Sequence, residues 1–582
     1  IKSDDTEGSR VMKKKVALLL VLVMVLAMTV SCGGLYGKGA IIPMYLASVQ
    51  SNMDPAATMY DKDTIQYISL LYEGLVTIAK DGSVNKGMAK KWYTQKEEDE
   101  FCVYFELQKT RWNDKTPVVA DDFVYAWQRI LAPESNIPAA ALLYDIKNAK
   151  KIKSGELTVA DLGVTAVEDS LLRIVLEKEI ELSLLLENLA SPALGPLRDD
   201  IVEASPLWSS SSSAIATNGA FSLKRLTYKG DEKEEVKERN PDRVITEIWL
   251  ERNSYYHGDV DESNLDKYVI PHRLITDYSL SAKDAMAKFE SGELFYIGSF
   301  TKETYTAHQK ELVTQPLLST GTLYFDCSNT LFADAAVRTA LGNALDRQAI
   351  ADLVGMGAKA ATGFVSDGVF DDKLSSKSSF RTVGGTLYTY GAAGAKSALK
   401  GKSGSFAITY RNANASHKAV ADYVTNAWSA LGFTVKAEGL SNQEYEAALL
   451  AGTFDVLMLD YQGLSSSAYS FLAPFAKYYS GSVVDVRGEL YTPHITGYQS
   501  DAYDRAIDAV FAATTRKDRA AKLHDAEKIL CQDNPAIALY FNYDAYLASD
   551  RLDDLASDVF GNRIFNNASL DNYEEVNDAI GG

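Results

Sequence analysis

The sequence predicts a mixed α/β protein that contains some parallel sheet, and three observations carry that expectation. Short segments of β-branched and aromatic alternation are interleaved with longer segments of helical periodicity along the 582 residues. Between Phe406 and Ala437 the order is strand, helix, strand, with Gly432 ending the helix, and a crossover of that kind joins parallel neighbours. Composition is that of a folded chain, 46% apolar and 24% charged, which excludes collagen-like, wholly disordered and polytopic membrane classes. At roughly 150 residues per domain the length holds about four domains' worth of material.

The chain begins at Ile1 and its first methionine is Met12. Residues 1–11 read as upstream frame or an incomplete gene start and are set aside from the fold. From Met12, Lys13-Lys14-Lys15 precede an apolar run from Val16 to Met28, the plan of a secretory signal. The run is shorter than the about 20 apolar residues that a spanning helix needs. Residues 1–31 are therefore expected to be a signal peptide. Cys32, straight after the apolar core and Ser31, resembles the lipidated cysteine of bacterial lipoproteins, although Thr29 stands where that motif favours Leu. The alternative is an ordinary signal peptide cut nearby. Residues 32–40, rich in glycine, read as a flexible tether for a lipid-anchored, exported protein.

Helices are expected, in chain order, at Asp63–Tyr72, Ala120–Leu131, Ala282–Ser291, Ala333–Val354, Ser416–Leu431, Asn442–Ala451 and Arg516–Gln532, from apolar residues spaced three and four apart. Strands are expected at Phe101–Leu107, Leu171–Leu176, Glu247–Glu251, Thr322–Asp326, Phe406–Tyr410, Phe433–Ala437 and Ala536–Phe541, from β-branched and aromatic alternation. No internal repeat of 20–50 residues stands out. Cys102, Cys327 and Cys531 read as buried small hydrophobes rather than a disulfide framework.

Chemistry-bearing motifs are scarce. The six histidines stand singly, without metal-ligand spacing, and neither a nucleophile elbow nor a phosphate-binding glycine loop is present. The acidic stretches Glu97-Glu98-Asp99-Glu100 and Asp231–Glu238 read as solvated loop charge. A formal net charge of −19 disfavours nucleic acid as a partner. Binding is thus a simpler expectation than catalysis, with no cofactor and no metal. The 33 tyrosines, clustered at Tyr255-Tyr256, Tyr478-Tyr479 and Tyr540-Phe541-Asn542-Tyr543, suit both strand packing and adaptable ligand contact.

Several ordered phrases resemble one family. They are Asp54-Pro55-Ala56, Leu71-Tyr72-Glu73-Gly74-Leu75, Gly87-Met88-Ala89-Lys90-Lys91-Trp92, Arg111-Trp112-Asn113-Asp114-Lys115-Thr116-Pro117 and Ala120-Asp121-Asp122-Phe123-Val124-Tyr125-Ala126-Trp127. Thr217-Asn218-Gly219-Ala220-Phe221, Ser291-Gly292-Glu293-Leu294 and Ala344-Leu345-Asp346-Arg347 continue the series. Together they resemble the bacterial extracellular solute-binding proteins of family 5, the oligopeptide-binding lipoproteins of ATP-binding-cassette importers. The departures are Lys115, where the family favours Gly, and Gln108, where it favours Arg. The resemblance implies a periplasmic-binding-protein-like fold: two lobes with a hinge, plus an additional domain II. It places domain I at 41–72 with 190–318 and 535–582, domain II at 73–189 and domain III at 319–534, with hinges near Gly321 and Pro535. It further implies a monomer that delivers an oligopeptide or other small solute to membrane permease and ATPase subunits.

The resemblance also nominates a ligand site after the strand Phe454-Asp455-Val456-Leu457-Met458-Leu459. Tyr461 matches the family's aromatic position, with Gln462 and Gly463 beside it. The position of the acid that pairs with a peptide ammonium holds Leu464, and a basic position that can meet the ligand carboxylate holds Met458. A buried ammonium without a countercharge is costly, so Asp460 is the nominated substitute. His417 matches a position that can reach the end of a longer peptide, and Tyr445, Tyr324 and Tyr540 are further lining candidates. Tyr461→Ala is expected to weaken ligand binding while leaving the unfolding midpoint nearly unchanged. Three functions stay open: an oligopeptide receptor, the same fold carrying an uncharged solute such as an oligosaccharide, and a secreted hydrolase.

Overall fold

Two long antiparallel strands, Val313–Phe325 and Ala536–Ala548, run side by side at the centre of the structure, from Val313 opposite Tyr546 to Tyr324 opposite Ala536. The computed structural model describes residues 39–47, 49, 52–57, 62–135, 137–229, 244–257, 266–371, 378–479 and 495–580. The signal segment, Cys32, most of the tether, Asp231–Glu238 and His494 lie outside the described residues.

The two central strands belong to an 11-stranded sheet. On one side it continues through Val456–Gln462, Ser405–Arg411 and Thr434–Leu440. On the other it continues through Tyr296–Ile297, Ile41–Tyr45, Arg273–Asp277, Ile245–Arg252 and Phe221–Tyr228. The expected strand–helix–strand unit is present. Ser405–Arg411 and Thr434–Leu440 pair in parallel from Ser405↔Thr434 to Arg411↔Leu440, bridged by the helix Ala415–Ser429. A separate antiparallel sheet orders Ala89–Glu97, Glu100–Leu107, Leu171–Val175 and Val164–Glu168. Among the described residues no helix is long and apolar enough to cross a membrane.

Most expected elements fall where the periodicity puts them, and Ala120–Leu131 and Asn442–Ala451 match end to end. Four departures have physical causes. The expected helix Ala333–Val354 is two helices, Ala335–Asn343 and Arg347–Val354, because Asp346 leaves the helical conformation and its carboxylate caps the second, accepting from the amides of Gln348 and Ala349. The strand expected at Thr322–Asp326 is the end of a 13-residue strand in which Pro316 and Gly321, both strand breakers by sequence, come before Thr322. The register shifts between Pro316 and Thr320 and again between Gly321 and Thr322 absorb them. The strand expected at Ala536–Phe541 runs on to Ala548.

The fourth departure lies in the acidic stretch Glu97 to Glu100, where Glu98 and Asp99 are an exposed turn as expected but Glu97 and Glu100 belong to strands. The stretch closes a hairpin, and Arg173 donates to Glu97 at 2.7 Å and to Glu100 at 3.1 Å. Cys102, Cys327 and Cys531 are free thiols, the first and last buried and Cys327 half-buried.

The sheet beyond the central pair separates two layers of core. Met458, Leu323, Phe325 and Ile537 pack on one face with Val337, Leu341, Val424 and Trp428 of the helices. Leu457, Leu459, Tyr461 and Tyr324 pack on the other with Phe364, Phe475, Leu523 and Leu530. The alternation along Val456–Gln462 is the period of two that a strand buried on both faces requires.

Candidate functional site

Three neighbouring strands bring Asp460, Gly321 and Tyr540 into one row, since Gly321 pairs with Asp460 on one side and Tyr540 on the other. Gly321 has no side chain, so the Tyr540 ring lies across it and the phenol donates to Asp460 Oδ1 at 2.9 Å. His417 sits in the first turn of the helix Ala415–Ser429, where its amide donates to the capping Asn414. That position aims its Nε2 at Asp460 Oδ2, 2.9 Å away. Asn542, whose amide donates to Ser319 Oγ at 3.0 Å, lies near enough to favour the charge on Asp460 as well. Burial opposes the charge on Asp460, but His417, Tyr540 and Asn542 together outweigh it and hold the carboxyl below its ordinary range. His417 Nδ1 is buried and has no hydrogen-bond partner among the described residues.

Both Asp460 oxygens accept from the protein's own donors, and its side chain remains 32% exposed. Leu464 is 2% exposed and packs in the main core, and Met458 is fully buried in the other core layer. Neither brings charge to the loop.

The remaining nominated residues are placed apart from that row. Tyr461 points to the opposite face of its strand, with its ring 5.8 Å from Phe364 and 5.5 Å from Phe471 and its hydroxyl donating to the Ser470 carbonyl at 2.5 Å. A side chain so packed carries stability, which overturns the expectation of an unchanged unfolding midpoint. Tyr324 is fully buried with its ring 5.8 Å from Phe475. Tyr445 donates to the Met458 carbonyl at 2.6 Å and lies under the Arg411 guanidinium. Gln462 pairs with Ser319 across the strands. The Gly463 amide donates to the Leu318 carbonyl at 2.7 Å, and a Cβ there would come 2.3 Å from the Phe471 ring.

After Gly463 the chain turns into a buried, hydroxyl-rich loop, Ser465-Ser466-Ser467-Ala468-Tyr469-Ser470. Ser467 Oγ donates to Asp371 Oδ1 at 2.7 Å and the Ala468 amide donates to Oδ2 at 2.6 Å. This loop meets the unit that carries the four-stranded sheet. Tyr469 donates to the Ala141 carbonyl at 3.3 Å, Tyr144 to the Tyr478 carbonyl at 2.8 Å, and Lys150 to the Tyr479 hydroxyl at 2.8 Å. Deeper in the same seam Arg519 grips Asp145 through both guanidinium nitrogens at 3.0 Å, and Arg516 pairs with Glu187.

The charged residues of this seam are not marked by any motif. Their readable signal is a lone charge at the end of an apolar run: Asp145 after Ala139-Ala140-Ala141-Leu142-Leu143-Tyr144, and Glu187 after Leu184-Leu185-Leu186. Such charges are expensive to bury unless paired. Among the described residues no group of three or more His, Cys, Asp or Glu could hold a metal ion.

Comparison with known proteins agrees with this architecture. The family model for bacterial extracellular solute-binding proteins, family 5 Middle, matches residues 83–482. The periplasmic murein peptide-binding protein MppA of Escherichia coli is 28% identical over 507 residues, covering 84% of this chain and 85% of that protein. The probable deoxycholate-binding periplasmic protein YgiS of Escherichia coli is 24% identical over 518 residues, covering 86% and 89%. Among solved structures, Listeria monocytogenes OppA bound to peptide superposes with a TM-score of 0.74 at 20% identity, covering 92% of this chain and all of that one. The fold is thus the three-domain α/β architecture of the oligopeptide binders.

Proposed function

The chain belongs to the bacterial extracellular solute-binding proteins of family 5, and on that premise we propose that it is the oligopeptide receptor of an ATP-driven importer. Family membership makes it a binding protein and not an enzyme, which removes the hydrolase reading. The observation that carries the peptide reading is the buried, hydroxyl-rich loop Ser465 to Ser470, from which the Tyr469 phenol reaches the Ala141 carbonyl across the seam. A lining of that kind suits an extended backbone, whose groups need hydrogen bonds along their length. The relationship to a murein peptide-binding protein over most of the chain supports it.

In this reading residues 41–72, 190–318 and 535–582 form domain I, 73–189 domain II and 319–534 domain III. The confinement of the four-stranded sheet to residues 89–175 supports the second limit, and the register shifts beside Gly321 support a hinge there. Export under the 1–31 signal, lipid attachment at Cys32 and delivery to permease and ATPase subunits complete the role of a monomeric receptor at the outer face of the membrane.

A second reading, an uncharged or non-peptide cargo, is favoured by the buried Leu464 and Met458 and by the prior engagement of Asp460. The relationship to a probable deoxycholate-binding protein is in keeping with it. Native mass spectrometry of the protein from Gly33 onward, purified from bacterial cytosol, separates the two. A ladder of retained peptide masses is the expected result. A single non-peptide mass, or a protein that ignores peptide mixtures, would sink the peptide reading in favour of the second.

A further inference from the structure

The seam between residues 138–187 and residues 469–519 is held by the chain's own charges. Arg519 and Asp145 are 3% and 5% exposed, and their two parallel bonds of 3.0 Å make a bidentate pair of fixed geometry. Arg519 also donates to the Ala513 carbonyl, which anchors the guanidinium to its own unit. Beside this pair the Arg516 side chain meets Glu187, while its amide donates to Glu181 at 2.9 Å and the Glu181 amide donates to the Thr514 carbonyl at 2.7 Å. Lys178 reaches the Phe511 carbonyl and lies 4.4 Å above that ring. Among the described residues no strand of the four-stranded sheet pairs with the large sheet, so the seam can part without breaking a ladder.

We propose that the Asp145–Arg519 pair, with Arg516–Glu187 beside it, is a latch that holds the two units closed and sets how much of the protein is closed before cargo arrives. The physical reason is an asymmetry of solvation. With both partners present, each buried charge is compensated by the other in a two-bond fork, so closing carries little desolvation penalty and the contacts of the seam hold it shut. With one partner removed, closing buries a lone charge, and the closed state loses its advantage. The apolar contacts at the seam, such as Tyr144 with Tyr479 at 5.4 Å between ring centres, attract without fixing register. The forked pair supplies the register. Because a ligand that needs the closed form binds in proportion to its population, the latch tunes apparent affinity without touching cargo.

The test uses no ligand, so its outcome does not depend on what the cargo is. The protein is unfolded in guanidinium, dialysed to strip any retained solute and refolded. Small-angle X-ray scattering then compares the parent with Arg519→Ala, Asp145→Ala and the charge-exchanged double variant Asp145→Arg/Arg519→Asp. The parent is expected to scatter as the closed form, and each single variant to lose about tenfold or more in its closed-to-open ratio. The exchanged pair should recover at least part of that loss, a rescue that general destabilisation would not give. Hydrogen exchange at the four-stranded sheet checks that the single variants remain folded. A parent that is open after stripping, or folded single variants as closed as the parent, would overturn the latch.

Discussion

Gly321 and Tyr540 occupy the space of a single side chain: a Cβ at position 321 would lie 2.1 Å from the Tyr540 ring carbon that bears the hydroxyl. The missing methyl is what lets the phenol cross the strand to Asp460. Gly321→Ala must push the ring aside, at a cost of about 1–3 kcal/mol for overpacking, and it breaks the bond to Asp460. Chemical denaturation should show the loss. Tyr540→Phe, which keeps the ring, should lose about 1.5–3 kcal/mol, the worth of a hydrogen bond to a charged acceptor.

Tyr461 is a core residue. Truncation to alanine should destabilise by roughly 3–5 kcal/mol, seen as a clear drop in unfolding midpoint. Tyr461→Phe removes only the hydrogen bond to Ser470, worth about 1 kcal/mol. A Tyr461→Ala protein that melts with the parent would show that the ring does not pack as described.

Two carboxyls make opposite contributions to stability across acidic pH. Burial raises the Glu187 pKa from 4.5 to about 7, with Arg516 opposing the shift and Asp371 adding to it. A carboxyl whose pKa is higher folded than unfolded is a burden above pH 7, and the burden is relieved as pH falls toward 4.5. Asp460 behaves in the other sense. Its contribution is full above the ordinary aspartate pKa of 3.8 and is lost as pH falls through its lowered folded value. Glu187→Gln should therefore flatten the stability profile between pH 4.5 and 7. Asp460→Asn should flatten it only below pH 4, as denaturation midpoints taken at each pH will report.

The engaged Asp460 and the buried Leu464 bear on cargo chemistry. Peptides with acetylated amino termini should bind within about threefold of their free counterparts, since Asp460 already accepts from His417 and Tyr540 and Leu464 carries no charge. Isothermal titration with matched pairs measures this directly. A loss of a hundredfold on acetylation would mean that another acid in the cleft reads the terminus.

Much of this architecture could be read from residues alone, and the gaps have identifiable origins. Amphipathic helices such as Ala120–Leu131 announce themselves, because one face is buried and the other is not. The central strands do not, because Leu317 to Phe325 is buried on both faces and Pro316 and Gly321 interrupt it. The Asp346 cap inside an otherwise helical stretch was readable as Asp-Arg-Gln, yet the apolar periodicity on either side masks it. At the site, His417 on a helix and Asp460 on a strand meet from positions that periodicity never relates. Tyr461 matched an aromatic position but faces inward, since strand phase decides which neighbour of a motif is exposed.

The pairing of Tyr324 with Ala536, and of Ile297 with Leu547 beside the amino-terminal strand Ile41–Tyr45, also governs the order of assembly. Neither side of the large sheet can be completed until the strand Ala536–Ala548 has been made. Contacts this distant in sequence form slowly, after their loop entropy has been spent. A nascent chain of this design stays incomplete at its centre throughout synthesis. For the export proposed here that delay is useful: the chain can reach the translocation machinery still threadable, and lock only after the strand Ala536–Ala548 has crossed.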